Sequence, residues 1–282
     1  MTGTEPSRGR LVDRLKSGNW ADLGKRLGAG APLLLVGILL LVSSGLWLRL
    51  GVSVIVGLMS WELARLTAWR FPQFHSPRHP VLIGSLSAIV LVTMLNVPGN
   101  LPFLLVAVPV LAGLPGTHAH ERVPYALFTI AIFGAGYGLV ALREEMGLAT
   151  LFWVVATVVQ SDILGYFVGR RIGGPRFWPS LSPKKTWSGT VAGWVGALLL
   201  AAGLVLSRNA SLGVLLVGPL LALAGQFGDI AESWLKRRVA VKDSSQLIPG
   251  HGGVMDRFDA MCGALLLAFV LMLLHLLPII GG

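Results

Sequence analysis

Long runs of apolar residues separated by short polar stretches make up most of the chain after residue 30. A helix needs about 20 mostly apolar residues to cross the hydrocarbon core of a bilayer. The segments that meet this measure, with the fourth one short, are residues 31–49, 51–69, 80–97, 101–115, 124–142, 148–168, 190–207, 212–230 and 260–280. The pattern predicts an all-α fold, a polytopic transmembrane helical bundle with about nine spans.

The composition excludes most other classes of protein. Hydrophobic residues make up 54% of the 282 residues and charged residues only 13%, whereas a soluble domain has about 25% charged residues. A soluble enzyme with a single core is therefore excluded. The single cysteine, Cys262, cannot form an internal disulfide.

The distribution of charge predicts an orientation in the membrane. The net charge is +10, and 19 Lys and Arg residues fall in connections on one side of the predicted spans against three on the other. The positive-inside rule places the amino terminus in the cytoplasm and the carboxyl terminus outside. We expect these cations to face anionic lipid rather than nucleic acid, in a bacterial plasma (inner) membrane.

The predicted spans and polar stretches divide the chain into three regions. Residues 1–30 are polar and basic with leucines at helical spacing, and we expect a cytoplasmic amphipathic arm. Residues 31–147 would form the N-terminal transmembrane helices, and residues 148–282 a C-terminal catalytic transmembrane region with a polar site at the cytoplasmic face.

The end of the eighth predicted span carries a polar stripe. On a helix of 3.6 residues per turn, the side chains of Asp229, Glu232, Ser233, Lys236 and Arg237 share one face. Two carboxylates, a hydroxyl and two cations would thus project together. A salt-bridged, solvent-exposed face is the alternative interpretation.

The segment that follows favours a ligand site. Glycines such as Gly252 and Gly253 around His251 disfavour regular helix and let backbone amides approach a ligand, as in turns that bind phosphate. Asp229 and Asp256 each lie at a membrane boundary on the same side. Carboxylates and phosphate oxygens are the ligands that Mg²⁺ prefers, so we expect a nucleotide or polyphosphate site with magnesium held by Asp229 and Asp256.

The exit of the sixth predicted span is similar. Asp162 and Tyr166 share a helical face with two glycines, which packing between helices could explain for the glycines alone. The run 182–188 then offers hydroxyls and cations without an acid, although a polybasic patch for lipid headgroups is the alternative. The candidate substrate-binding residues of this region are Asp162, Tyr166, Arg170, Ser182, Lys184, Lys185 and Thr186.

One acidic residue lies inside a span. Glu62 is followed one turn later by Arg65 in the second predicted span. Ionisable residues within a membrane are rare and usually paired, so we expect a satisfied ion pair rather than a catalytic group.

Residues 233–259 resemble the signature of the phosphatidate cytidylyltransferases (CDP-diacylglycerol synthases). The matching positions are Ser233, Lys236, Arg237, Lys242, Asp243, Pro249, His251, Gly252, Gly253, Asp256, Arg257 and Asp259. Asp162, Tyr166, Arg170 and the run 182–187 are also similar to the family, and the match covers about 100 residues of the carboxyl-terminal half. One departure is Ser188, which stands where the family usually has Glu.

The resemblance implies a reaction and a set of roles. CTP and phosphatidic acid would give CDP-diacylglycerol and pyrophosphate, with Mg²⁺, room for a second cation, membrane lipids around the protein and a homodimeric assembly. Ser233, Gly252 and Gly253 would bind substrate. The implied catalytic residues are Asp229, Asp256, Lys236, Arg237, Lys242, Asp243, His251, Arg257 and Asp259.

Other functions remain open at this point. A CTP-dependent lipid kinase of the polyprenol or phytol type would share part of this chemistry. A transporter for a phosphorylated solute, or an inactive paralogue, would also carry buried charges of this kind.

Overall fold

The computed structural model of the chain describes residues 35–68, 78–248, 250 and 252–281. The arm predicted over residues 1–30 lies outside the described residues. Residues 35–42 are helical. The elements that follow are α1 (Gly45–Thr67), α2 (Arg78–Asn96), α3 (Ala107–Gly113), α4 (Arg122–Glu145), α5 (Gly147–Ile172), β1 (Arg176–Trp178), β2 (Ser182–Thr186), α6 (Trp187–Leu206), α7 (Val214–Arg238) and α8 (Met255–Leu273).

Six helical stretches among the described residues are long and apolar enough to cross a membrane. They are α1, α2, Ala119–Glu145 (which contains α4), α5, α6 and α7. By length and composition the protein is therefore an integral membrane protein, a helical bundle with one small two-stranded sheet. The predicted count of about nine spans is not confirmed.

The differences from the predicted spans have local causes. The boundary predicted near residue 50 is wrong, because α1 already begins at Gly45, whose φ of +58° breaks the preceding helix. Residues 101–116 form 3₁₀ turns around the short α3, since the prolines in this stretch remove helical hydrogen bonds. Helix α8 ends at Leu273 rather than at residue 280.

Close contacts between small residues hold neighbouring helices together. At Gly57 of α1 and Gly84 of α2, an added Cβ would lie 2.8 Å from the carbonyl oxygen of the other glycine. Gly189 of α6 lies against the backbone of Gly165 of α5, and Gly228 of α7 against that of α8. The small-residue packing that the sequence suggested for α5 is thus present.

The hydrophobic core is not divided at the boundary between residues 147 and 148. One cluster joins α1, α2 and α4 to Leu235, Val254 and Met255 in the carboxyl-terminal half. A second cluster packs α4 against α5, α6, α7 and α8. The proposed division into regions stays a prediction, and the packing makes the two halves one body around α4.

Candidate active site

The polar face of α7 is the centre of the site. Ser233 donates a hydrogen bond of 3.4 Å to Asp229 Oδ1, and Lys236 Nζ lies 3.4 Å from Glu232 Oε2. The predicted shared face of these residues is confirmed. Arg237, which the same spacing included, is exposed at the end of the helix.

Asp256 is held by four protein donors at the start of α8. Its Oδ1 contacts Lys236 Nζ at 2.6 Å. Its Oδ2 accepts hydrogen bonds from Ser244 N (2.8 Å), Ser244 Oγ (2.9 Å) and Gly253 N (2.8 Å). Burial by itself raises the pKa of this carboxyl, but the contacts with Lys236 and the amides of Gly253 and Ser244 outweigh it and leave the pKa below its ordinary value of 3.8.

The glycine-rich turn before α8 has the predicted form. Gly250 and Gly252 adopt φ values of +76° and +83°, which glycine accommodates without strain. Ile248 N donates to the carbonyl oxygen of Gly252 at 2.8 Å, which closes the turn. His251, one of the catalytic residues that the resemblance implies, lies outside the described residues.

Asp229 has a different environment, because a hairpin supplies its cation. Strands β1 and β2 pair antiparallel and carry Lys185 to within 2.5 Å of Asp229 Oδ2. The sequence indicated no strands over residues 169–189. Thr186 then accepts a hydrogen bond from Gly189 N and so caps the start of α6.

A polar cavity of about 610 Å³ lies between α5, the hairpin and α6. Arg170, whose Nη1 donates to Tyr166 Oη at 2.8 Å, forms part of its wall. Ser182 is half-buried at the start of β2, next to this wall. The charged lining residues are Asp162, Arg170, Arg176, Lys184 and Lys185. Four cations against one carboxylate suit a polyanionic ligand.

An apolar cavity of about 490 Å³ lies between α4, α7 and α8. Its lining is apolar except at Glu232 and Asp259, whose carboxyl groups face each other. Both carboxylate oxygens of Glu232 are buried without a regular hydrogen bond. A buried carboxyl group needs a proton or a cation to compensate it, and the ammonium group of Lys236, 3.4 Å from Oε2, supplies part of that compensation.

Lys242, Asp243 and Arg257 line neither of these two cavities. All three are exposed. Lys242 and Asp243 line a separate cavity of about 960 Å³ together with Trp61 and Arg65. The predicted role of these residues in catalysis stays a prediction.

The expected ion pair of Glu62 with Arg65 is wrong. The guanidinium of Arg65 lies 4.7 Å from the ring centroid of Trp61. Glu62 is fully buried and accepts hydrogen bonds from the segment 244–255 instead. Its position inside an apolar span was the only sequence signal for an unusual role.

Magnesium fits the carboxylates of this end of the bundle, although no metal cage is assembled. Within the described ranges, no group of three or more His, Cys, Asp or Glu side chains could hold a metal ion by itself. Mg²⁺, however, usually takes one or two carboxylates and completes its shell with phosphate oxygens and water. Glu232, whose oxygens make no regular hydrogen bond, lies beside Asp259, which in turn interacts with Asp229, and these carboxyl groups supply hard oxygen ligands of that kind.

Comparison with known proteins agrees with this chemistry. A model of the cytidylyltransferase family matches residues 24–275. A phosphatidate cytidylyltransferase of Brucella melitensis is 42% identical over 147 residues, which cover 49% of this chain and 54% of the relative. The enzyme of the same name from Helicobacter pylori is 32% identical over 220 residues, covering 77% of this chain and 74% of the relative.

The matches differ in extent. A third protein of that name, from Bacillus subtilis, is 40% identical over 120 residues, or 42% of this chain and 45% of the relative. The chain thus spans about half the length of most of the curated relatives named here. The family model, by contrast, covers most of the chain, and on that ground the chain belongs to the cytidylyltransferase family.

Proposed function

We propose that the protein is a phosphatidate cytidylyltransferase, which converts CTP and phosphatidic acid to CDP-diacylglycerol and pyrophosphate. The observation that carries the proposal is the position of α7 between two unlike cavities. One is lined by four cations, and the other is apolar with two carboxyl groups in its wall. A soluble polyanion and a lipid can therefore meet at one helix. The names of the relatives support the same reaction.

The cationic cavity suits the triphosphate of CTP. Lys184, Lys185, Arg170 and Arg176 would neutralise its charge, and arginine in particular can bind phosphate through two parallel hydrogen bonds. The acyl chains of phosphatidic acid would occupy the apolar cavity. Ser233 and the amide of Gly252 would contact phosphate oxygens, whereas the amide of Gly253 already donates to Asp256 Oδ2.

The reaction would be an in-line nucleotidyl transfer. A phosphate oxygen of phosphatidic acid attacks the α-phosphorus of CTP, a new P–O bond forms, and the bond to pyrophosphate breaks. The attacking oxygen is already anionic, so no general base is required. The protein therefore acts by position and by charge neutralisation, and Lys185 and Lys236 would approach the phosphates from opposite sides of the polar face of α7.

We also propose a magnesium ion at this site, with Asp229 and Asp259 as its main protein ligands. The ion would offset the negative charge that develops on the phosphate oxygens, and a second cation could share that task. Asp256, the second ligand predicted from the sequence, already satisfies its two oxygens with four protein donors. It would hold Lys236 in place and coordinate the ion only after releasing that lysine.

We further propose nine membrane crossings, with the site at the cytoplasmic face. Support comes from residues 101–116, which begin after the end of α2 and finish where Gly116 lies beside His79, near the start of α2. Although short, this stretch therefore runs back along the whole of α2. A homodimer in a bacterial inner membrane is proposed from the family resemblance and the bacterial relatives.

The test uses purified protein in lipid nanodiscs with phosphatidic acid, Mg²⁺ and CTP that carries either an α- or a γ-phosphate label. The proposal expects the α-label in lipid, one pyrophosphate per CDP-lipid, and loss of turnover when EDTA removes the metal. Entry of the γ-label into lipid would indicate a lipid kinase. Flux of a phosphorylated solute across vesicles without pyrophosphate release would indicate a transporter.

A further inference from the structure

Glu62 in the N-terminal half binds the segment that carries much of the family signature. Its Oε1 accepts hydrogen bonds from Ser245 Oγ (2.6 Å) and Val254 N (2.9 Å). Its Oε2 accepts from Met255 N (2.7 Å) and lies 3.1 Å from Ser244 Oγ, whose single proton it shares with Asp256 Oδ2. The carboxylate is fully buried and therefore has all its partners within the protein. These contacts join α1 to residues more than 180 positions later in the chain.

Two of these donors belong to the first turn of α8. The first amides of a helix have no partner inside it and need an acceptor. Val254, which occupies the N-cap position of α8, offers no side-chain cap. Glu62 supplies the acceptor from another helix, and its negative charge is favoured at a helix amino terminus. Glu62 thus caps α8 from α1.

A single hydroxyl links Glu62 to the polar face of α7. Ser244 Oγ lies 3.1 Å from Glu62 Oε2 and 2.9 Å from Asp256 Oδ2, and the other oxygen of Asp256 binds Lys236 at 2.6 Å. A side chain at Gly253 would overlap both Ser244 Oγ and the carboxyl group of Glu62. The four side chains form one continuous chain of contacts, and the backbone is tightly fitted around it.

We infer that Glu62 is a positioning residue for cytidylyl transfer. It holds the segment 244–255 so that Asp256 keeps Lys236 directed along the polar face of α7. Glu62 lines neither the cationic nor the apolar cavity, so it acts through Ser244 and Asp256 rather than on a substrate. The kinetic part of this inference rests on the proposed function.

The kinetic test compares Glu62→Gln, Ser244→Ala and the double variant. A glutamine keeps one acceptor oxygen but turns an N–H group toward donors such as the Met255 amide. We expect kcat of Glu62→Gln to fall at least tenfold while KM for CTP stays within threefold. Because both changes break one chain of contacts, the double variant should be no slower than the slower single variant.

Glu144→Gln is the matched control. Glu144 forms an ion pair of 2.7 Å with Arg49 at the opposite end of the bundle. Replacement of Glu144 should therefore leave kcat unchanged. A Glu62→Gln enzyme with kcat within twofold of the unmodified protein would overturn the inference. The inference would also be overturned if the decreases in kcat of the two single variants multiplied in the double variant, or if Glu62→Gln changed only KM.

Amide hydrogen exchange tests the same inference without the reaction. In Glu62→Gln we expect residues 244–255 to exchange at least tenfold faster, with α2 and α6 unchanged and with the same change absent from Glu144→Gln. Unchanged exchange over residues 244–255 would refute the role of Glu62. If the unmodified protein made no CDP-lipid, the proposed function would fail, whereas the exchange result would still decide what Glu62 holds.

Discussion

Asp229 on α7 and Asp256 on α8 differ in their surroundings, although the sequence assigned both the same role. The side chain of Asp229 is 28% exposed and has Lys185 as its close partner, with a long hydrogen bond from Ser233. The side chain of Asp256 is 7% exposed and accepts contacts from four donors. One half of the site is therefore open to a ligand, and the other is already satisfied by the protein.

The difference arises from how each aspartate is approached. Lys185 comes from a two-stranded hairpin of few residues, which can adjust when a ligand competes for its ammonium group. Asp256 lies at a helix terminus whose preceding segment is fixed by the buried Glu62. This contrast teaches that the open half selects and binds the phosphates, while the closed half keeps a lysine in position.

The largest expected effect belongs to Asp229→Asn. The amide cannot hold a divalent ion or the charge of Lys185 as the carboxylate does, so we expect kcat to fall about a thousandfold, the range seen when a group that offsets transition-state charge is lost. The midpoint of thermal unfolding should change little, because Asp229 is partly exposed. Activity within tenfold of the unmodified enzyme would contradict the assignment of Asp229.

Asp256→Asn should damage both activity and stability. It leaves Lys236 with only the longer contact of 3.4 Å to Glu232 Oε2 and turns an amide N–H toward backbone donors, so we expect a loss of about 3 kcal/mol in unfolding free energy and about a hundredfold in kcat. Thermal unfolding in detergent and the cytidylyl assay measure the two effects. An unchanged unfolding midpoint would show that Asp256 is held no more tightly by the protein than Asp229.

Replacing the two neighbouring lysines of β2 one at a time tests whether the contact of a lysine with Asp229 matters more than its positive charge alone. Lys185 pairs with Asp229, whereas Lys184 lines the cavity on the adjacent position. We expect Lys185→Ala to lower kcat/KM about a hundredfold and Lys184→Ala to raise KM for CTP only about threefold, since an exposed cation contributes about 1 kcal/mol or less. Equal effects of the two changes would remove the special role of the Lys185–Asp229 pair.

The pH dependence of stability should report the contribution of Asp256. Because the pKa of Asp256 in the folded protein lies below 3.8, its contribution is complete above that ordinary value and is lost as the pH falls through the folded pKa. The difference in unfolding midpoint between the unmodified protein and Asp256→Asn should therefore be constant from pH 7 to about 5 and shrink toward pH 3. A difference in unfolding midpoint that grew as the pH fell would contradict a lowered pKa of Asp256.

The smallest effect is expected at Ser188, the position where the family usually has Glu. Ser188 Oγ donates to the carbonyl oxygen of Gly173 at 2.5 Å and lies 3.0 Å from Thr186 Oγ1. It therefore ties the end of α5 to the start of α6. We expect Ser188→Ala to lower kcat/KM by about threefold, the value of one hydrogen bond, and a loss of more than thirtyfold in the same assay would indicate a direct role.

The sequence predicted the local features of the site well. Helical spacing placed Asp229, Ser233 and Lys236 on one face, and the glycines predicted the turn at Gly252. These features depend on residues within two turns of each other. Periodicity and backbone preference are enough to predict them.

Contacts between distant parts of the chain could not be predicted in the same way. The choice of Arg65 as the partner of Glu62 followed from nearness in sequence, but the donors lie at Ser244 and beyond. The strands that carry Lys185 were also missed, because segments of three and five residues are too short to show the alternation of a β-strand. Hydropathy likewise could not separate residues 101–116 from a regular helix, since prolines act on the backbone rather than on polarity.

The long separation between Glu62 and its donors has a consequence for biosynthesis. A ribosome adds about 5 to 20 residues per second, so some ten to forty seconds pass between synthesis of Glu62 and synthesis of Ser244. During that interval α1 carries a carboxyl group with none of its final partners, inside a segment apolar enough to enter the bilayer. The polar contacts that join α1 to the start of α8 can therefore form only after nearly the whole polypeptide has been made.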